Sequence, residues 1–491
     1  MVRSLFFQIR ENTMLQQTIY QNAHKKPPGP PSFPIIGCFP QMSTNPLQFL
    51  TNAARKYGGV VHLGSIGPQQ LYLIADPDCI KYVLQENPQN YTKGENFQDI
   101  KLVIGEGLVI SEGDSWRSQR RLMQPSFHRQ QIAAMVNDMT QLTAEMVERW
   151  QKIPPGATLD ISAEMLVLTQ KILLKTTLSI DADSDTSELI QAWNTIYKFL
   201  SDRLWAIIKP PINFPTPKNR QFQQAINTLR TIANSIIQQR KQGNRTTHDI
   251  LSMFMNTQDE SGEGLSDQQL HDQIVGLFSA GFETSAATLG WIWYLLSKYP
   301  TVERQLQAEL TTLLAGRTPT FEDLPQLKYT KMVVQEAMRL YPGAWVYARN
   351  NLGDDLIGGY HIPAGSMLLF SPFVTHRLPA FWDNPEGFDP ERFTPERSVD
   401  RPRYAYFPFG GGQRQCLGDI FALTEIQLIV AMVCQRFRLN LLPEHPVECQ
   451  PLLTLQTRQN ILMTLQPRTE LNNVSQLNTQ KTLLTVNSSE Q

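Results

Sequence analysis

Net charge is nearly absent from this chain: 44 Lys and Arg against 45 Asp and Glu in 491 residues leave a balance of −1. A surface without a basic excess has no broad field for a phosphate backbone, so nucleic acid is excluded as a partner. Cysteine is scarce too, with five residues (Cys38, Cys79, Cys416, Cys434, Cys449) and no CxxC pairing. That excludes a disulfide framework and a structural zinc site, and it implies a reducing, cytoplasmic setting. Long apolar runs are missing from the N-terminus, where Gln8 and Arg10 interrupt the first short apolar stretch. Neither a signal peptide nor a membrane anchor fits there, and any membrane association is expected to be peripheral. Glycine and proline, at 28 and 33 residues, are too few for a collagen-like or wholly disordered chain.

What is present reads as one large domain. Residues 1–26 form a lead-in, followed by five prolines (Pro27, Pro28, Pro30, Pro31, Pro34) that fix φ and exclude helix. The domain is expected over 27–467, with 468–491 a polar, aperiodic tail expected to be disordered. Alternating apolar residues on either side of Gly67-Pro68 predict two strands. Helical periodicity then predicts segments near 116–150, 160–180, 186–208, 218–242, 266–298, 301–315 and 330–341. Strand-like stretches return after Leu356 and again from Leu453. The fold class expected is mainly α with small β-sheets, and a monomer.

A glycine-dense run from Phe407 to Gly418 delivers Cys416 to the start of a helical pattern. Free N–H groups and the positive helix end lower a thiol's pKa, so Cys416 is placed to act as a thiolate, either nucleophile or metal ligand. A second feature is the segment Ser266 to Ser297, opened by the capping box Ser266-x-x-Gln269. As a single helix it would span about 48 Å. Its apolar part carries one charge, Glu283, which makes a lipid-crossing reading expensive.

The residues Phe409, Gly412, Arg414, Cys416 and Gly418 match F-x-x-G-x-R-x-C-x-G, and the run resembles the haem-binding signature of the cytochrome P450 family. That resemblance implies haem b with Cys416 as its axial ligand and Arg414 on a propionate. Ala280-Gly281-Phe282-Glu283-Thr284 is similar to the family's oxygen-binding helix. There Thr284 would hydrogen-bond the Ala280 carbonyl and loosen the helix beside Gly281, and Glu283 would feed protons from solvent. Glu336 and Arg339 resemble its ExxR pair, and Arg392 in Pro390-Glu391-Arg392-Phe393 the arginine that completes a structural triad. Trp116 and Arg120 resemble its W-x-x-x-R haem contact, with Arg349 a further propionate arginine. His128 and His376 stand where the family uses no ligand.

The motifs occur in the family's order over nearly all of 27–467. The implied activity is a haem-thiolate monooxygenase that inserts one atom of dioxygen into a lipophilic small molecule. No flavin-binding or iron–sulfur segment follows Cys416, so electrons from NAD(P)H are expected through a separate ferredoxin or flavodoxin-type donor. Arg117, Arg120, Arg121 and Arg129, with Arg397, Arg401 and Arg403, are candidates for its docking patch. The competing readings are a peroxide-dependent or hydroperoxide-rearranging enzyme and a non-catalytic haem sensor. Expected pocket walls are Phe97, Leu102, Val103, Leu108, Phe278, Ala344, Val346 and Leu453, which suit fatty acids, terpenoids or carotenoid fragments alike.

Overall fold

The computed structural model describes residues 25–94, 98–154, 156–181, 186–206, 209–243, 248–259 and 262–468. Phe97, most of the lead-in and the tail from 469 lie outside the described residues. Helices dominate: α1 Pro46–Tyr57, α2 Gly113–Met123, α3 Arg129–Gln151, α4 Ile161–Leu178, α5 Ser187–Leu204, α6 Pro217–Gln242, α7 Asp267–Gly281, α8 Glu283–Lys298, α9 Pro300–Leu314, α10 Lys328–Leu340 and α11 Asp419–Arg436. Short pieces, among them Gln98–Ile104 and Ile250–Asn256, fill the turns between them.

The strands collect to one side. β1 (Val60–Ile66) and β2 (Gln69–Ile74) pair antiparallel about Gly67-Pro68, with Val60 opposite Ile74. The main sheet adds three more strands, β3 (Tyr91–Thr92), β5 (Tyr347–Asn351) and β8 (Met367–Phe370), in the order β1-β2-β8-β5-β3. β8 runs parallel to β2, so residues some 300 positions away complete the N-terminal hairpin. A smaller sheet joins β4 (Thr158–Asp160), β12 (Leu462–Pro467) and β9 (Phe437–Leu441), while β6 (Asp355–Ile357) with β7 (Tyr360–Ile362) and β10 (Cys449–Pro451) with β11 (Leu455–Thr457) are two-stranded.

One large apolar cluster runs through α3 to α11, including Met139, Ile172, Leu289, Ile292 and Leu428, all fully buried. A second, around Leu50, Val61, Leu71 and Trp345, lies under the main sheet. No helix among the described residues is long and apolar enough to cross a membrane.

The expected single helix over 266–297 is instead two. Ser266 caps α7, and its reciprocal bonds with Gln269 are formed at 3.2 and 2.9 Å. The helix then stops at Gly281, and α8 starts at Glu283 after Phe282 at φ −107°. Two features of α4 and one of the helix itself account for the break. The Thr169 hydroxyl reaches the Phe282 carbonyl at 3.1 Å. A Cβ on Gly281 would stand 2.7 Å from a terminal methyl of Leu173, so a larger residue there requires the Leu173 side chain to move. Thr284 Oγ1 donates to the Ala280 carbonyl at 3.0 Å, competing with the backbone for it. The opening beside Gly281 anticipated from the sequence is therefore filled on that side by Leu173.

Candidate active site

Cys416 sits in a loop fixed at every backbone group that could slip. Its N–H donates to the Phe409 carbonyl at 3.0 Å, and Gly410 N–H to the Phe407 carbonyl at 3.0 Å. Gly412, at φ +64°, donates to the Tyr404 hydroxyl at 3.0 Å. Its missing side chain matters, since a Cβ there would fall 1.8 Å from the Leu84 carbonyl. Tyr347 on β5 closes the other side, its hydroxyl donating to the Pro408 carbonyl at 2.9 Å.

A cleft of about 550 Å³ has Cys416 in its lining, with Trp116, Arg120, Phe127 and Leu417 among others. Cys416 exposes surface to it, yet the protein packed around the thiol outweighs that opening, and burial pushes the thiol up to about 11. The Gly418 N–H and Arg120 pull it down and Asp419 pushes it up. The expectation that the helix start alone makes a thiolate is thus corrected: α11 begins at Asp419, after the cysteine, and carries an acid in its first turn. Among the described residues no group of three His, Cys, Asp or Glu could hold a bare metal ion. A lone thiol suits a metal only as one ligand of a prosthetic group.

Beside the loop stands a crowd of cations. Arg414 stacks over Trp116 at 4.1 Å, donates to the Ser111 carbonyl at 2.8 Å and pairs with Glu112. Lys93 N–H donates to Glu112 at 2.9 Å, and its ammonium bonds the Val109 carbonyl. Burial, then Arg349 and Arg414, pull that ammonium down to about 7. Burial likewise lowers Arg349 and takes Arg414 to about 10. Lys93, Arg349 and Arg414, all partly buried, gather near the one carboxylate of Glu112, an excess of positive charge that two carboxylates would relieve. The pair of propionates on haem b fits that demand. Lys93 and Glu112 were not singled out by the sequence. Arg120 donates to the Gln415 carbonyl at 3.0 Å on the cysteine loop, and its charge is felt by Arg414.

The expected triad is assembled and buried. Arg339 holds Glu336 through two bonds of 2.7 and 2.8 Å, and Arg392 reaches Glu336 at 3.3 Å. Arg339 also donates to the carbonyls of His376, Pro385 and Gly387. His376 relays this order to the cysteine loop: its Nε2 accepts the Phe407 N–H at 2.9 Å while Nδ1 faces the Arg339 carbonyl at 3.3 Å.

On the opposite side, Ala280 and Thr284 present accessible surface, and Gly343 backs onto Thr284 with room of 3.5 Å for a Cβ, bringing Ala344 alongside. Glu283 points elsewhere than expected. It is 6% exposed, accepts from Trp193 Nε1 on α5 at 3.2 Å, and burial takes its carboxyl up to about 8. In this arrangement it has no path of its own to solvent. Of the expected walls, Val103 and Phe278 are buried, and Leu108, Ala344, Val346 and Leu453 are half-buried. Leu102 is exposed and lines an outer cleft with Lys101 and Arg230, whose guanidinium bonds the Leu102 carbonyl at 2.9 Å.

The family model for cytochrome P450 matches residues 27–465. The chain belongs to the cytochrome P450 family. It is 36% identical over 419 residues to cyclooctat-9-en-7-ol 5-monooxygenase of Streptomyces melanosporofaciens, covering 84% of this chain and 89% of that protein. Pentalenene oxygenase of Streptomyces avermitilis is 31% identical over 90% of this chain and 97% of its own length. Among solved structures, the haem domain of cytochrome P450DA superposes with a TM-score of 0.81 at 25% identity, covering 91% of this chain and 98% of that one. This P450 is a haem-thiolate monooxygenase of lipophilic substrates, with haem b as cofactor and electrons from a redox partner.

Proposed function

We propose that this P450 hydroxylates a terpenoid, with electrons from a ferredoxin or flavodoxin-type donor in the reducing cytoplasm. The observation offered for the substrate class is the packed aromatic group beside α7 and α8, whose polar atoms are already spent on one another. Trp193 is tied to Glu283, and the Tyr197 hydroxyl pairs with Thr454 Oγ1 at 2.9 Å. Trp193, Phe278 and Phe282 pack edge to face around them, with centroids 5.1–6.2 Å apart. Val103, Leu108, Phe278, Ala344, Val346 and Leu453 include no cation to hold a fatty-acid carboxylate. A compact hydrocarbon skeleton suits such a lining, and the names of both Streptomyces relatives refer to substrates of that kind.

In this reading Cys416 would hold the haem iron, Arg414, Arg349 and Lys93 the propionates, and Trp116 the guanidinium of Arg414. Bound haem supplies the activation of dioxygen. Thr284, with its own proton directed to the Ala280 carbonyl, keeps lone pairs free to accept and position a proton at that face.

For the donor, Arg117 and Arg121 remain on the surface, paired with Asp114 and Asp259. Arg401 does not join a free patch, since it lies over the Trp382 ring at 4.1 Å and bonds the Arg392 carbonyl, and Arg397 pairs with Asp389. The test of the substrate class is a spectral-shift screen of the haem protein against cyclic terpenes, terpene alcohols and fatty acids. Terpenes are expected to displace the resting iron ligand and shift the Soret band at micromolar levels. Tighter binding by fatty acids would overturn the assignment.

A further inference from the structure

The turn between β10 and β11 consists of Leu452, Leu453 and Thr454, and it closes a two-stranded ladder in which Pro451 faces Leu455. A lone pair of strands is marginal in water and needs support from outside. Here the support is a set of aromatic donors from other elements. Trp205, just past α5, gives its indole N–H to the Pro451 carbonyl at 3.1 Å. Trp345, just before β5, donates to the Leu452 carbonyl at 2.9 Å, and Trp291 on α8 to the Leu455 carbonyl at 3.0 Å. The Tyr197 hydroxyl on α5 stands 2.9 Å from Thr454 Oγ1 and accepts the Thr454 N–H. The rings brace one another as well: Trp205 stacks on Trp345 with centroids 6.1 Å apart, and Trp291 on Tyr341 at 3.9 Å. A buried indole usually finds some acceptor, but that rule does not explain the convergence. The chain has eight tryptophans, and two buried ones, Trp293 and Trp382, leave their N–H without a partner among the described residues. Three others nevertheless meet at one short turn.

The turn is also registered to α8. The Leu455 N–H donates to the Gly343 carbonyl at 2.9 Å, and a Cβ on Gly343 would stand 3.5 Å from both the Cβ and the carbonyl oxygen of Thr284. Leu452 and Leu453, half-buried, pack on the large helical cluster, while Leu455 is buried in the cluster under the main sheet. The geometry points to Trp205, Trp291 and Trp345 as positioning residues of the monooxygenase. With Tyr197 they hold the 452–454 turn, and Leu453 at its centre, in fixed register with Thr284, and so set which substrate shapes are admitted there. This rests on the proposed place of Thr284 at the reacting face. An indole is rigid and has few rotors, so little entropy is lost in fixing a carbonyl with it. Removing one N–H leaves a carbonyl without the donor that held it, and the turn is then free to retreat.

The test uses the haem-loaded protein and two azoles that bind haem iron through a ring nitrogen, the compact 4-phenylimidazole and the bulky clotrimazole, read by the red shift of the Soret band. A turn that has lost a donor yields room to the larger ligand. Trp205→Phe and Trp345→Phe are each expected to change the ratio of the two dissociation constants about tenfold in favour of clotrimazole, the size of one lost hydrogen bond. Trp150→Phe is the control. It loses an indole bond of 2.8 Å to Glu164 on α4 at like burial, and it is expected to leave the ratio as in the wild type. Tyr197→Phe removes one oxygen atom and no ring, and it should shift the ratio in the same direction even if the tryptophan variants fail to take up haem. A shift below about threefold in every one of the three variants, the low end for a lost hydrogen bond, overturns the proposal. A shift in favour of 4-phenylimidazole or an equal shift in Trp150→Phe also overturns it. So does loss of haem from all three, since the donors would then serve folding alone. Azoles bind the iron whatever substrate the enzyme oxidises, and neither the terpene screen nor an assay of Thr284 enters the ratio, so failure here is distinguishable from failure of the proposed function.

Discussion

Protonation of His376 should loosen the cysteine loop from a distance, and the structure sets the size of the effect. The ring is fully buried, and its Nε2 must be an acceptor because the Phe407 amide can only donate. The neutral form with the proton on Nδ1 is therefore the one that fits. Burial, followed by the charge of Arg339 and then of Arg377, holds the imidazole well below its ordinary range, with the Arg339 carbonyl opposing. Tyr406, stacked at 5.0 Å, and Trp382 contribute no charge to offset a proton there. An imidazole whose folded pKa is depressed stabilises the fold above the unfolded value of about 6.5. As pH falls below that, the unfolded chain takes up the proton first, and stability is lost at up to about 1.4 kcal/mol per pH unit. From pH 7.5 to 5 this one residue should remove about 2 kcal/mol. Gln at this position can accept from Phe407 and donate to Arg339 without titrating. Urea unfolding of wild type and His376→Gln at both pH values, followed by tryptophan fluorescence, gives the difference of differences. The variant should lose about 2 kcal/mol less than the wild type on acidification. Identical losses in the two proteins would refute the assigned tautomer and the link from Arg339 to Phe407.

Glu336→Gln leaves the buried guanidiniums of Arg339 and Arg392 without their carboxylate and should cost about 3–5 kcal/mol, read by unfolding midpoint and by haem content. Gly412→Ala puts a Cβ on the Leu84 carbonyl at a left-handed φ; the protein should lose the red-shifted carbon-monoxide Soret band of a thiolate-ligated haem. Lys93→Met removes one of three crowded cations, so the haem-free protein should be as stable as wild type or more so, while haem transfer to an acceptor globin speeds up. Thr284→Ala should lower product formation by roughly a hundred- to ten-thousand-fold, with NADPH oxidation falling far less and hydrogen peroxide making up the difference; full coupling in that variant would end the proton-positioning role.

What the sequence showed plainly were features whose partners lie within one turn. Ser266 and Gln269 close a capping box, Thr284 reaches back four residues to Ala280, and Glu336 meets Arg339 three residues on; each is dictated by helical geometry and needs no knowledge of the tertiary fold. The cation cluster shows the opposite case. Lys93 at the end of a two-residue strand, Glu112 before α2, Arg349 on β5 and Arg414 in the cysteine loop are spread over more than 300 positions, and an isolated Lys or Glu beside a glycine carries no periodicity to mark it.

Glu283 shows why even a matched motif can mislead about direction. Its place next to Thr284 was evident from spacing, but its side chain follows the local backbone, and that backbone breaks at Phe282 because α4 supplies Thr169 and Leu173 from more than a hundred residues away. The break gives Thr284 its accessible face and in the same step commits Glu283 to Trp193. On the proposed role of Thr284, helix packing sets its accessible face, and substitutions at Thr169 or Leu173 are expected to shift the balance between product and peroxide as changes at Glu283 do.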